Sequence, residues 1–115
     1  MKLFENTIKL RGFLGSDAEV PTSDGIRSDS FAVLIVCVTR GIWKKRTSEW
    51  ASYTERLRVI CAGPYFCGFT RGMKHGDYVE IEGELHTSDS GGEIHALVIR
   101  RLECPPVGVD EGEED

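Results

Sequence analysis

Trp43 and Trp50 stand seven residues apart in the stretch "GIWKKRTSEW", with Lys44, Lys45 and Arg46 between them and Arg56 and Arg58 shortly after. An indole offers a flat face on which any nucleobase can stack, worth about 1–3 kcal/mol per base, while Lys and Arg neutralise phosphates. These residue types together suit a polyanion that carries aromatic rings. Other readings stand beside this one. The tryptophans could pack in a core or against a second subunit, and Lys44, Lys45 and Arg46 could be only the solvated tip of a hairpin. Arg56 could stack its planar guanidinium on a base or pair with a glutamate on a neighbouring strand.

Catalytic chemistry has no comparable signal. Glu80, Glu82 and Glu84 alternate along one strand face and could in principle hold a divalent metal, but three carboxylates in this pattern also make a solvated edge. His75, His86 and His95 are scattered, none at helical i, i+4 spacing from a carboxylate or cysteine, and no glycine-rich phosphate loop follows a strand. Cys37, Cys61, Cys67 and Cys104 form no C-x-x-C pair, so buried free thiols are expected rather than a zinc site or a disulfide framework. The chain reads as a non-enzyme that needs no metal and no cofactor.

The 115 residues suffice for one core and one domain. No apolar run approaches the roughly 18–20 residues of a membrane span, and Met1 to Glu5 do not open a signal peptide, so the cytoplasm is the expected compartment with no membrane partner. The net charge of -5 opposes phosphate binding at first sight. Its distribution does not. Asp110, Glu111, Glu113, Glu114 and Asp115 lie beyond Pro105-Pro106, which leaves residues 1–104 with 14 basic and 14 acidic residues. Residues 1–104 therefore read as the folded domain and 105–115 as a disordered acidic tail, tethered so that it can reach back to a basic face.

Hydrophobic alternation supplies the elements that must position these groups. Residues 6–14 read as a strand with Ile8, Leu10 and Leu14 on one side and Gly12 marking a bend. A turn-rich loop over 16–30 follows, then the β-branched run 31–39, the firmest strand. Residues 52–62 alternate Leu57, Val59 and Cys61 against Arg56, Arg58 and Ile60, which puts both arginines outward. A short helix fits 64–74, between Pro64 and Gly76. Residues 77–85 place Val79, Ile81 and Leu85 inward, and 93–102 form the last strand after a turn. Five strands with one short helix between the third and fourth is the order of an all-β OB-fold, a Greek-key barrel that binds oligonucleotides on strands two and three and the adjoining loops. The segment "GIWKKRTSEW" is then the hairpin loop between those two strands. Lys9, Arg11 and Phe13 on strand one could extend the same surface or belong to a subunit interface.

Four blocks, in order, resemble the bacterial single-stranded DNA-binding protein family over residues 5–103. "ENTIKLRGFLGSDAEV" resembles its opening Asn-x-x-x-Leu-x-Gly-x-Leu-Gly-x-Asp-Pro-Glu-Val, and "FAVLIVCVTRGIW" its second strand running into a Trp. "TERLRVICAG" resembles Thr-Glu-Trp-x-Arg-Val-x-x-x-Gly, and "GDYVEIEGELHT" resembles Gly-x-x-Val-x-Ile-Glu-Gly-x-Leu. Trp43 and Arg58 match family positions. Ala18 replaces the usual Pro, Arg56 a stacking Trp, and Ala62 a stacking Phe. The loop before the last strand lacks an aromatic, and "DEGEED" stands where members carry a terminal Pro-Phe that recruits partners.

The resemblance implies sequence-independent binding and protection of single-stranded DNA in replication, repair or recombination, by an assembly of two or four copies joined through strand one. Replication or repair proteins would be further partners. The nucleic-acid site would comprise Trp43, Lys44, Lys45, Arg46, Trp50, Arg56, Arg58 and Arg11. The alternative is an OB-fold adaptor of a replication-restart complex, resembling the primosomal replication protein B, whose main ligand is a protein.

Overall fold

The computed structural model describes residues 2–89, 91–103 and 111–114. In chain order it contains β1 (Ile8–Leu14), β2 (Phe31–Lys44), β3 (Glu49–Ala62), α1 (Pro64–Thr70), β4 (Tyr78–Ser88), β5 (Gly91–Leu102) and β6 (Glu111–Glu114), with one 3₁₀ turn at Ser23–Gly25. Sheet neighbours run β1-β4-β5-β3-β2, and a further β1–β2 pairing closes the five strands into a barrel. This is the expected OB-fold. The β3–β5 contact is parallel and short, Val59 opposite Ile94 and Ile60 opposite His95, whereas β2–β3 and β4–β5 are long antiparallel hairpins.

Alternation fills the barrel. Leu10 and Leu14 from β1, Ala32, Leu34 and Val36 from β2, Val59 and Cys61 from β3, Val79 and Ile81 from β4, and Ile94, Ala96 and Ile99 from β5 form one core. Cys67 of α1 and Met73 join it. The helix is shorter than the expected 64–74: Arg71 is extended and Gly72 has φ +90°, a conformation that ends a helix and suits only glycine. Leu85, expected inward, is exposed, because the β4–β5 hairpin continues past the barrel wall. Burial pushes the Cys61 thiol up to about 12, with Cys67 adding to the shift, so this thiol stays protonated and inert. Cys67 is buried too and Cys37 is half-buried, both as free thiols, while Cys104 lies outside the described residues.

Closure depends on one close approach. β1 meets β2 only at Phe13 opposite Cys37 and Leu14 opposite Val36, and a Cβ on Gly12 would run into the backbone carbonyl of Cys37. The expected bend at Gly12 is thus the point where the first strand seals the ring.

The carboxylates of β4 are not a solvated edge. β4 lies between β1 and β5, and Glu80, with a side chain only 9% exposed, sits under Lys9 (3.3 Å), Arg11 (3.1 Å) and Arg100 (3.6 Å). Glu82 shares Lys9 and Arg100 at 3.8 and 3.6 Å. Desolvation works to raise the Glu80 carboxyl, but the Lys9 hydrogen bond and the charges of Lys9, Arg11 and Arg100 outweigh it and hold the carboxyl below its ordinary value.

In the acidic segment expected as a tail, residues 105–110 and 115 lie outside the described residues, and Glu111–Glu114 runs parallel to Gly41–Lys44 as β6. Since β1 occupies only a short part of this edge of β2, the end of the strand near the turn is left for β6.

Two expected outcomes follow from this packing. Gly12→Ala lowers stability by about 1–3 kcal/mol in denaturant unfolding, because the obstructing atom is a carbonyl in a paired strand that cannot rotate away. The second concerns acid. A carboxyl depressed in the folded state contributes stability that is present above the ordinary value of 4.5 and lost as pH falls through the lower folded value. Melting of Glu80→Gln against the parent should therefore show a deficit at pH 7 that closes as pH drops below 4.5.

Candidate nucleic-acid interface

The sequence suggests a loop around "GIWKKRTSEW", but β2 and β3 each extend into it and leave only a four-residue turn, Lys45 to Ser48. Ser48 there takes φ +55°. The cause is the cross-strand pair: Trp43 lies opposite Trp50, with ring centroids 5.4 Å apart and planes at 57°, so the aromatic contact zips the strands up to the turn. Trp50 remains 56% exposed and Trp43 is half-buried.

Register then decides which groups share a face. Along β2, Ile35, Cys37, Thr39, Gly41 and Trp43 alternate to one side; opposite them on β3 stand Arg58, Arg56, Thr54, Ser52 and Trp50. This ribbon face carries two tryptophans and two arginines and no carboxylate. The ribbon's two acids, Glu49 and Glu55, point to the other side, together with Arg40, Lys44 and Tyr53. Thr39 and Thr54 share a hydroxyl hydrogen bond of 2.9 Å in the middle of the face.

Each sequence-predicted residue now has a place. Trp43, Trp50, Arg56 and Arg58 come together. Lys44 leaves them: it is on the opposite face, its ammonium 5.8 Å from the Tyr53 ring centroid. Lys45 and Arg46 are exposed in the turn. Arg11 is on β1, opposite Glu80 and engaged by it. Between Arg11 and the ribbon face lies Phe13, which pairs with Cys37 and packs at a tilt against Tyr78, ring centroids 4.9 Å apart.

The two arginines differ. Arg56 approaches only a thiol, its Nη1 donating toward Cys37 Sγ at 3.6 Å, so its charge has no carboxylate partner among the described residues. Arg58 donates to Glu93 Oε2 at 2.6 Å. The glutamate that sequence reasoning offered to Arg56 belongs to Arg58 instead, because the parallel β3–β5 contact brings the start of β5 beside it.

The histidines, which look scattered in sequence, are a second difference. His86 on β4 and His95 on β5 stack with centroids 4.0 Å apart and planes at 7°. Their only sequence signal is the repeated Glu-x-His of Glu84-Leu85-His86 and Glu93-Ile94-His95, which alternation places on one face of each strand. Tyr53, exposed on the far side of the ribbon, was also missed. Among the described residues no group of three His, Cys, Asp or Glu is placed to hold a metal ion, and no helix is long and apolar enough to cross a membrane.

The sequence matches no family profile and no curated protein. Solved structures do resemble the fold. A Plasmodium falciparum SSB in complex with ssDNA superimposes with a TM-score of 0.69 at 22% identity, covering 90% of this chain and 99% of that one. A small single-stranded DNA-binding protein from Streptomyces coelicolor gives 0.61 at 16% identity, over 88% and 96%. A deletion mutant of the single-stranded DNA binding protein from Thermus aquaticus gives 0.60 at 18%, over 86% of this chain and 51% of that one. The chain therefore has the OB-fold of these proteins.

The tryptophan contact is itself measurable. A double-mutant cycle with Trp43→Ala and Trp50→Ala should return a coupling of about 0.5–1.5 kcal/mol in denaturant unfolding, the range of an aromatic pair beyond simple burial.

Proposed function

We propose that this protein binds single-stranded DNA without sequence preference, on the outward face of the β2–β3 ribbon. One observation carries the reading. The register segregates charge, so that Trp43, Trp50, Arg56 and Arg58 share a face to which the ribbon's own strands contribute no carboxylate, while Glu49 and Glu55 are turned away. The tryptophans stack on bases, which is indifferent to sequence because every base has a π-face, and the arginines hold the intervening phosphates. Lys45 and Arg46 in the exposed turn attract the strand toward this face. Likeness to three proteins described as binding single-stranded DNA supports the same ligand.

Such a binder covers strands exposed in replication, repair or recombination. A single face with two tryptophans is small, and joining two or four copies raises the effective concentration of sites along one strand. Phe13, exposed on β1 and in contact with the half-buried Tyr78, supports that assembly.

Titration with oligo-dT tests the reading. Binding should quench tryptophan emission, and with about four phosphates neutralised log affinity should fall against log salt with a slope near -2.8, at roughly -0.7 per contact. Arg56→Ala should make that slope shallower by about 0.7. Binding that is silent in fluorescence and flat in salt overturns the proposal and favours the adaptor, whose ligand is a protein.

A further inference from the structure

Beyond the ribbon face, the base of the β4–β5 hairpin holds a square of four titratable side chains. Antiparallel register sets Glu84 opposite His95 and His86 opposite Glu93, and each strand repeats Glu-x-His. All four side chains therefore fall on one face of the hairpin, with the two imidazoles stacked across the diagonal. His86 Nε2 is 3.1 Å from Glu84 Oε1, and His95 Nε2 is 3.9 Å from Glu93 Oε1. The other oxygen of Glu93 takes the hydrogen bond of Arg58. One carboxylate thus stands between a cation of the ribbon face and a histidine.

We propose that this square couples the ribbon face to pH: a phosphate that takes Arg58 from Glu93 leaves a carboxylate that a protonated His95 then holds, so binding of single-stranded DNA takes up a proton. The inference rests on the ligand proposed above and adds its regulation. With both imidazoles neutral, Arg58 is the cation paired with Glu93, and a phosphate must compete with Glu93 for it. A proton on His95 gives Glu93 a second partner within ion-pair reach, releases Arg58, and adds positive charge beside a polyanion. All three effects favour binding. Rings stacked at 4.0 Å make two imidazolium charges repel, so the square takes up no more than one proton.

The surrounding charges do not supply an alternative partner for Glu93. From β3 the nearest cation after Arg58 is Arg56, directed to Cys37. On β4, Glu82 is paired with Lys9 and Arg100. Toward the first residues of the chain, Lys2, Glu5 and Lys9 line a groove with Glu82 and Glu84 that includes neither Glu93 nor Arg58. Asp89, exposed in the hairpin turn, adds only negative charge.

The experiment measures anisotropy of a labelled oligo-dT, whose bases do not titrate in the window used, at constant ionic strength between pH 8 and 5.5. Affinity should rise by about five-fold from pH 8 to pH 6, a mean uptake of about a third of a proton per site over that span. His86→Gln with His95→Gln should flatten the profile, whereas His75→Gln, altering an exposed histidine outside the square, should leave it. Glu93→Gln provides an independent arm. It should bind at pH 8 nearly as tightly as the parent at pH 6, with little pH dependence, because Arg58 is already released. Tight binding with the same pH dependence in parent and double histidine variant overturns the coupling and leaves the ligand assignment intact. A flat parent profile, or Glu93→Gln binding more weakly at pH 8, does the same. Absence of binding at every pH overturns both.

Discussion

The passage of β1 across the carbonyl of Cys37, possible because Gly12 has no Cβ, is the constraint on which the rest of the molecule depends. It brings Leu14 opposite Val36 and closes the ring of strands. Closure settles which side of every strand is inside. Once Leu34, Val36 and Val59 point inward, Ile35, Cys37, Arg56 and Arg58 must point outward, because a strand's period of two leaves no other arrangement. The chemistry of the ribbon face is in this sense a by-product of filling the barrel.

Electrostatics then divides the outer surface into two regions of different character. On β1, β4 and β5 the opposite charges cancel locally: Lys9, Arg11 and Arg100 surround Glu80 and Glu82. Those cations are engaged within the fold. On the β2–β3 ribbon they are not cancelled in the same way, and the one carboxylate that reaches the face, Glu93, comes from the neighbouring β5. A formally neutral body can thus present a face whose own strands carry arginines and no carboxylate, which net charge alone would hide.

The β2–β3 hairpin illustrates how an aromatic pair changes the meaning of a local sequence. Lys-Lys-Arg followed by Thr-Ser reads as loop chemistry, yet the contact of Trp43 with Trp50 extends pairing until only Lys45 to Ser48 remain as turn. The longer ribbon holds both indoles in a fixed relation. It also provides the backbone edge along which β6 runs.

The sequence by itself determined the strand alternation, the helix after the third strand, the five-stranded order, and the outward placement of Arg56 and Arg58. These are local properties, set by side-chain period and by residues such as Pro64 and Gly12. It did not determine partners across strands. That Lys44 leaves the tryptophans, that Glu93 meets Arg58, that Glu80 is covered by three cations, and that His86 stacks on His95 were all decided by tertiary structure. The reason is register: residues as far apart as Arg58 and Glu93 become neighbours only through the β3–β5 contact, and the irregularity at Glu82 and Gly83 sets which residues of β4 and β5 stand opposite. Gly83 itself sits against the carbonyl of His95 with no room for a Cβ, so the pairing that creates the histidine stack depends on a close backbone approach that no local pattern encodes.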